Sequence, residues 1–256
     1  MTQTRKPEMG KWGLYKFFKA DTAVSRYLPP TAVLNCSTLQ SFLSNHSAVY
    51  IKPANGSTGR GVIKVWKHNG RYAYVKEKGT QLQFSDLDSL YRKLRAEQAV
   101  TKAIYIIQRA IPLAQIKGRP FDVRLMMMRN ESGHWEYVGM AAKVAGPKSI
   151  ITNVVRSKGY ILSVDDALKQ SLGLSSTEID NIKRQMIHLG YKTCHRFDSY
   201  KRYWQIGLDL AVDQNRKVWI IEQNTGPAHF LFAKLKNPTA FRRIKQLAAF
   251  RRRKTH

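Results

Sequence analysis

The chain has 256 residues, 43% of them hydrophobic and 24% charged, and this composition excludes a protein that is disordered throughout. It carries 44 Lys and Arg residues against 17 Asp and Glu residues, a net charge of +27, which predicts attraction to polyanions such as nucleotides, nucleic acid, anionic lipid or acidic polymers. The two cysteines exclude a disulfide framework, and the lack of a long apolar stretch or an apolar signal segment predicts a cytoplasmic protein without a transmembrane segment.

Apolar residues at helical or strand spacing predict an α+β fold, in which antiparallel strand pairs carry packed helices. Asn69-Gly70 is a strong hairpin signal, and capping patterns at Ser85 and Ser175 each predict the start of a helix. In chain order, the predicted elements are a helix over 11–27, a strand over 48–52, a hairpin of 61–66 and 71–75, a helix from 85, a strand over 103–108, a hairpin of 121–128 and 134–142, a helix from 175, a hairpin of 205–212 and 218–223, and a basic helix from 239.

The segment 50–62 has the composition of a phosphate-binding loop between two strands. The first strand delivers Lys52, and the following loop contains three glycines, which let backbone N–H groups approach a phosphate closely. It is not a Walker A loop, because that motif does not occur and a strand rather than a helix follows. A glycine-rich hairpin turn with a solvated lysine explains the same residues, so the segment alone leaves both interpretations open.

The late hairpin places carboxylates inside two apolar strands. If its loop is the two residues 214–215, Asp209 lies opposite Ile220 and is the diagonal neighbour of Glu222 on one face, which Asn224 shares. Two carboxylates and an amide oxygen on one face suit a hard cation such as Mg²⁺. The alternative is that these carboxylates pair with some of the many lysines and arginines. A register slip of one residue would move Asp209 off the shared face.

A third candidate segment is the strand that contains Asp122 and Arg124, with its return strand ending near Lys143. Asp122 and Arg124 are two residues apart and therefore share a face. Arg124 and Lys143 could together bind a phosphate or a substrate carboxylate. A plain surface pair between Asp122 and Arg124 is the alternative, and without the other two segments it would be preferred.

A lysine strand, a glycine-rich loop, Asp122-x-Arg124 and finally Glu222-x-Asn224 follow one another in an order that resembles the ATP-grasp superfamily, most closely its YheC/YheD type, which is associated with endospore coats. The likeness runs from Lys11 to about residue 230. It implies an α+β ATP-grasp fold in which two subdomains with antiparallel sheets grip ATP between them. The implied segments are a lead helix and linker (1–29), a first subdomain (30–107), a second subdomain (108–238) and a basic helix and tail (239–256).

The resemblance also implies which residues contact the nucleotide. Lys11 and Lys52 would contact the phosphates of ATP, and the loop over 55–61 would form a lid over them. The other implied nucleotide contacts are the lid residues Asn55, Gly56, Ser57, Thr58, Gly59 and Gly61, the adenine hinge residues Gln108, Arg109, Ala110 and Ile111, and Asn153.

The implied reaction is the ATP-dependent joining of a carboxylate to an amine or thiol through an acylphosphate. Arg124 and Lys143 would be the catalytic residues, and Asp209, Glu222 and Asn224 would bind Mg²⁺, with Mn²⁺ as an alternative. Two other functions stay open, namely a kinase that phosphorylates a hydroxyl and a non-catalytic polyanion-binding or coat-assembly protein.

Five further expectations concern partners and the surroundings of the site. The charge of +27 favours an acidic acceptor, and the tail over 251–254 favours contact with a polyanion. Only about ten residues precede Lys11, so a partner protein could replace the N-terminal domain that members commonly have. The glutamate that usually binds the ribose is absent, since Gln115 or Pro120 falls near its place. Spore coat association is implied by the family alone.

Overall fold

The computed structural model describes residues 7–56, 60–77, 79–147, 149–152 and 154–254. The strands are β1 (Thr31–Val33), β2 (Ala48–Pro53), β3 (Ile63–His68), β4 (Arg71–Lys76), β5 (Leu82–Phe84), β6 (Tyr105–Arg109), β7 (Gln115–Ile116), β8 (Arg119–Arg129), β9 (Trp135–Val144), β10 (Tyr160–Leu162), β11 (Gln205–Val212) and β12 (Val218–Asn224). The α-helices are α1 (Lys11–Lys19), α2 (Thr22–Ser25), α3 (Cys36–Asn45), α4 (Leu87–Thr101), α5 (Val154–Ser157), α6 (Val164–Leu172), α7 (Ser176–Asp198) and α8 (Thr239–Lys254), and a short 3-10 helix covers Phe232–Lys234.

The first sheet has the strand order β1-β6-β2-β3-β4-β5, with every neighbouring pair antiparallel. Val49 and Ile51 of β2 are fully buried on one face, so the alternating Tyr50 and Lys52 point to the other face. Helices α3 and α4 cover the buried face with Leu39, Leu43, Leu90 and Leu94. The predicted Asn-Gly hairpin is confirmed, since His68 pairs with Arg71 and both turn residues have positive φ.

The second sheet has the order β10-β9-β8-β11-β12, and β7 pairs with the start of β8. Phe121 and Val123 of β8 lie in the main hydrophobic core, which α6 and α7 cover. Helix α7 approaches the sheet closely at Gly190, where an added Cβ would lie 2.8 Å from Leu125 Cδ2. Asp122 and Arg124, which alternate with these residues, therefore face away from α7 and toward the first sheet.

The chain before the first sheet differs from the predicted single helix over 11–27. The helix breaks after Lys19, and the Asp21 side chain accepts a hydrogen bond from the amide of Ala23 to begin α2. Leu14 and Phe18 of α1 pack in the core of the second sheet. The lead helix thus packs on the second sheet, although it precedes the first sheet in the chain.

Other element predictions are met with small differences. The capping box at Ser175 is confirmed at the start of α7, whereas α4 is capped by Asp86 rather than Ser85. The strand predicted over 103–108 is β6, and all of it belongs to the first sheet, so a segment boundary at 107/108 falls inside a strand.

The predicted basic C-terminal helix is confirmed as α8. Ile244 and Leu247 bury its inner face against Met126 and Met128 of the second sheet. Arg243 anchors the helix by donating hydrogen bonds of 2.7–2.8 Å to the carboxylates of Glu131 and Glu136. Within the part of the chain that the structure describes, every helix is too short or too polar to cross a membrane.

Candidate active site

A cavity of about 800 Å³ lies between the two sheets and collects the polar side chains of both. The first sheet and the helix before it contribute Lys11, Lys52, Gln108 and Arg109, and the second sheet contributes Asp122, Arg124, Lys143, Asp209, Glu222 and Asn224. The residues predicted from separate segments thus line one cavity, although Lys11 and Asn224 are 213 residues apart in the chain.

The hairpin of β11 and β12 has a longer loop than predicted. The amide of Asp213 donates to the carbonyl of Lys217 at 3.0 Å, and Arg216 has a positive φ of 66°. These features place Val212 opposite Val218. The pairing is therefore shifted by one residue from the register that a loop of 214–215 would give, and the predicted turn is wrong.

A β-bulge then restores the shared face that this shift alone would have lost. Leu210 lies opposite Ile220, but the next residue, Asp209, lies opposite Glu222, so Ile221 is the extra residue. Without the bulge, Asp209 would face Ile221, and Glu222 would point to the other side of the sheet. The predicted pairing of Asp209 with Ile220 is wrong, and the bulge is what places the two carboxylates on one face.

Four charged side chains form a buried ion cluster on the cavity face of the second sheet. Arg124 holds Asp209 with two hydrogen bonds, of 2.7 Å from Nε to Oδ1 and 3.2 Å from the second nitrogen to Oδ2. Lys143 Nζ lies 2.9 Å from Asp122 Oδ1 and 3.0 Å from Asp209 Oδ1. All four residues are at most 8% exposed. The surface pair of Asp122 with Arg124 does not form, because each partner binds another residue of the cluster.

The cluster sets the charge states of its two carboxylates. Burial would raise the pKa of Asp209, but Lys143 and Arg124 together hold that pKa well below its usual range. Burial raises the pKa of Asp122 to about 6, against the opposing attraction of Lys143. Thr152 also donates a hydrogen bond to Asp122. This bond ties the segment after β9 to the cluster, and nothing in the sequence signalled it.

On the opposite wall, Lys52 is held by a neutral partner. Its Nζ donates to Gln108 Oε1 at 2.7 Å, and Gln108 Nε2 donates to Thr31 Oγ1 at 3.0 Å. Burial lowers the pKa of Lys52 to about 8, with Glu222 opposing and Lys11 assisting that change. Gln108 therefore positions the lysine without neutralising its charge, a role that sequence analysis did not identify.

Lys11 connects the start of the glycine-rich loop to the second sheet. Its backbone amide donates to Ala54 O at 2.7 Å, its Nζ donates to Gly56 O, and the same Nζ lies 3.2 Å from Glu222 Oε1. Asn55, Gly56 and Gly61 themselves do not line the cavity, whereas Arg60 and Val62 do. The other expected contacts, Ser57, Thr58, Gly59 and Asn153, lie outside the described residues.

The hinge between the sheets is only partly available to a ligand. Arg109 and Ile111 line the cavity, but Ala110 does not. The backbone amides of Arg109 and Ala110 donate to Pro30 O at 2.9 Å and to Ala48 O at 3.0 Å. These two amides already have partners within the protein, so contact of the hinge backbone with the adenine edge stays a prediction that concerns its other backbone groups.

The floor of the site requires a glycine at position 207. An added Cβ would lie 2.6 Å from Pro227 Cβ and 3.1 Å from Arg124 Cδ. We expect Gly207→Ala to lower the free energy of unfolding by about 1–3 kcal/mol, the usual effect of overpacking, as measured by thermal unfolding. Gly226→Ala is the matched control, because nothing lies within 4 Å of its added Cβ. Equal unfolding temperatures for the two variants would show that this contact is not tight.

Two antiparallel sheets that face each other across a charged cavity define an ATP-grasp fold, and comparisons with known proteins agree. The chain belongs to the YheC/D-like ATP-grasp family, whose model matches residues 3–249. It is similar to the solved structure of the ATP-grasp ligase PsnB complexed with a phosphomimetic variant of a minimal precursor, Mg and ADP, with a TM-score of 0.54 and 11% identity over 94% of this chain and 58% of that chain.

Two curated relatives come from Bacillus subtilis (strain 168). The endospore coat-associated protein YheD is 24% identical over 230 residues, which cover 87% of this chain and 49% of the relative. The endospore coat-associated protein YheC is 25% identical over 225 residues, which cover 85% of this chain and 59% of the relative. The chain thus spans about half to three fifths of the length of these relatives.

Proposed function

We propose that this protein is an ATP-dependent ligase that activates a carboxylate as an acylphosphate and transfers it to an amine or thiol. The observation that carries this proposal is that one cavity is lined by the cations Lys52, Arg124 and Lys143 together with the carboxylates of Asp209 and Glu222. Such a combination of cations and oxygen donors suits a nucleoside triphosphate with its metal ion. The ligase named in the structural comparison, and the family itself, support the same reading.

The donor set fits a hard divalent cation. Asp209 and Glu222 lie opposite each other in the strand pairing, and Asn224 Nδ2 lies 3.4 Å from Asp209 Oδ2. Both oxygens of Asp209 are bonded to Arg124, and Oδ1 also to Lys143, so a cation would bind Asp209 in competition with these two side chains. Within the described residues, no group of three or more His, Cys, Asp and Glu side chains is placed to hold a metal, so the proposed cation site relies on Asn224 as its third ligand. Mg²⁺ bound there would supply neutralisation of phosphate charge, and Lys11 would compete with it for Glu222.

The proposed reaction has two steps. A carboxylate oxygen of the acceptor attacks the γ-phosphorus of ATP, the bond from that phosphorus to the bridging oxygen breaks, and ADP leaves. The amine nitrogen then attacks the acyl carbon, the carbon–oxygen bond to phosphate breaks, and one amine proton leaves with inorganic phosphate. Lys11 and Lys52 orient the phosphates, while Arg124 and Lys143 offset negative charge on the transferred group and the acceptor.

Trapping the acylphosphate tests this function directly. Incubation with Mg·ATP, a panel of carboxylic acids and hydroxylamine should give a hydroxamate in an amount equal to the ADP released. Glu222→Gln should lower both products together, because it removes one charge from the cation site. ADP release that yields a phosphorylated alcohol and no hydroxamate would contradict the ligase and favour a kinase.

The lowered pKa of Lys52 predicts that ATP binding weakens in mild alkali. With its pKa at about 8, Lys52 is charged below pH 8 and neutral above it, and only the charged form attracts the phosphates. The dissociation constant for ATP should therefore rise about tenfold between pH 7 and pH 9, as measured by calorimetry. Lys52→Arg is the control, since its charge persists over that range, and an equal rise in both proteins would show that another group titrates.

The names of the curated relatives support one more part of the proposal, an association with the endospore coat. Because the chain covers only part of each relative, this association and any partner protein that would complete the acceptor site are proposed for this chain rather than transferred to it.

A further inference from the structure

The cavity face of the second sheet changes character along strand β8. Ile111, at the end of the hinge, packs against Ala211 of β11. Along β11, Asp209 lies opposite Arg124 and Gly207 lies opposite Met126, which belongs with Met128 to a hydrophobic cluster. At about 3.3 Å per residue, this order places the hinge and the hydrophobic cluster at opposite sides of the ion cluster. A nucleotide that extends from the hinge to the ion cluster would leave the apolar side of the cavity for another molecule.

Two segments form an apolar wall on that side. The wall is made of Ile150, Ile151, Val154, Ala228, Phe230 and Leu231, all of which line the cavity. Val154 and Leu231 are buried in the same hydrophobic cluster as Met126 and Met128, which fixes their position relative to β8. The other end of the wall is attached to the ion cluster, because Thr152 donates to Asp122.

Phe230 is the exposed member of this wall. Its side chain is 43% exposed, and a single exposed phenylalanine is ordinary on a protein surface. This one, however, lies next to the buried Leu231 and extends an apolar lining that begins beside two buried cations. The wall can therefore contact the apolar group of a molecule whose carboxylate lies near those cations.

The polar groups of the wall do not suit an acidic acceptor. Among the described cavity-lining residues of segments 150–154 and 226–231, Thr152 is the one with a polar side chain, and it is already bonded to Asp122. The described cations of the cavity, by contrast, are on other elements. A second carboxylate on the acceptor would therefore be desolvated against apolar side chains without a partner.

We propose that this wall is the acceptor subsite, and that the acceptor is a carboxylic acid whose aliphatic or aromatic group packs on the wall while its carboxylate lies at Arg124 and Lys143. The inference rests on the proposed ligase function and names its substrate class. It replaces the acidic acceptor expected from the net charge, because that charge belongs to the whole chain and the wall is local.

The test compares single acids that differ in the group beside the carboxylate. N-acetyl-leucine and N-acetyl-phenylalanine are compared with N-acetyl-aspartate and N-acetyl-glutamate, using Mg·ATP, hydroxylamine and hydroxamate detection. We expect kcat/KM to be about 10- to 100-fold higher for the apolar pair. Phe230→Ser should raise KM for the apolar acids, whereas Val100→Ser, an 83% exposed residue outside the cavity, should leave it unchanged.

The outcomes separate the two proposals. Higher kcat/KM for the acidic pair, or a KM for the apolar acids that Phe230→Ser does not change, would overturn the apolar subsite and leave the ligase function standing. Hydroxamate from other acids of the wider panel but from none of these four would overturn the apolar subsite alone. Absence of hydroxamate from the whole panel would overturn the ligase function, and the acceptor subsite with it.

Discussion

Replacing Arg124 with methionine should reduce ADP release from Mg·ATP and acceptor by about 100- to 1,000-fold, the usual loss when a group that stabilises transition-state charge is removed. Arg124 is buried in the cavity and is fixed by its two hydrogen bonds to Asp209. Because it is already positioned, it needs no reorganisation when negative charge develops beside it. Steady-state kinetics with ADP detection measures the effect, mainly as a fall in kcat.

Arg124→Lys is the control for charge alone. Lysine keeps the positive charge but cannot hold both carboxylate oxygens of Asp209 in the planar arrangement of a guanidinium. We expect its activity to lie between those of the wild type and Arg124→Met. Wild-type kcat in Arg124→Met would exclude this residue from the reaction.

Replacing Asp209 with alanine should lower the free energy of unfolding by about 3–5 kcal/mol, because it leaves Arg124 and Lys143 buried without their shared carboxylate. Both cations are at most 8% exposed, so water cannot replace the lost partner fully. Chemical denaturation provides the measurement, and thermal unfolding should show a drop of about 2–4 °C per kcal/mol for a chain of this size.

The matched control is Asp165→Ala, which removes a carboxylate from a more exposed ion pair. Asp165 lies 2.9 Å from Lys183, and its side chain is 55% exposed. Surface pairs of this kind contribute about 0–1 kcal/mol. If the two aspartate variants lost the same stability, the buried cluster would not be the closed network that the structure shows.

The residue types of the site could be predicted from the sequence, but their pairing could not. The carboxylates stood out because Asp209 and Glu222 interrupt apolar strands in a chain with few acids. Their shared face was predicted from a two-residue loop, and it depends instead on a longer loop and a bulge at Ile221. The two register changes add up to a shift of two residues, which restores the same face. The sequence therefore predicted the correct face from a wrong pairing.

Contacts that join distant segments were beyond sequence analysis for a different reason. The bond from Lys52 to Gln108 depends on β2 and β6 being neighbours in the sheet, although 56 residues separate the two side chains. The packing of α1 on the second sheet likewise follows from the complete fold. The sequence also left open that these carboxylates pair with lysines and arginines. They do so in the structure, where Asp209 binds Arg124 and Lys143 and Glu222 lies near Lys11.

The net charge and the apolar wall favour different acceptors, and the comparison of the four acids decides between them. A charge of +27 describes the whole chain, and such a field affects long-range attraction rather than the shape of one subsite. The basic end of α8 continues to predict contact with a polyanion, because its last four residues are exposed. The apolar wall beside the ion cluster arises from loops that follow β9 and β12, whose positions only the fold determines.

Calorimetric titration of ATP in the presence and absence of Mg²⁺ tests the central claim, that the cavity between the sheets is a nucleotide site with a cation held by Glu222 and its neighbours. For the wild type, Mg²⁺ should tighten ATP binding, and Glu222→Gln should remove most of that gain while still binding ATP. A wild-type protein that does not bind ATP, or a gain from Mg²⁺ that is the same in Glu222→Gln, would contradict the account.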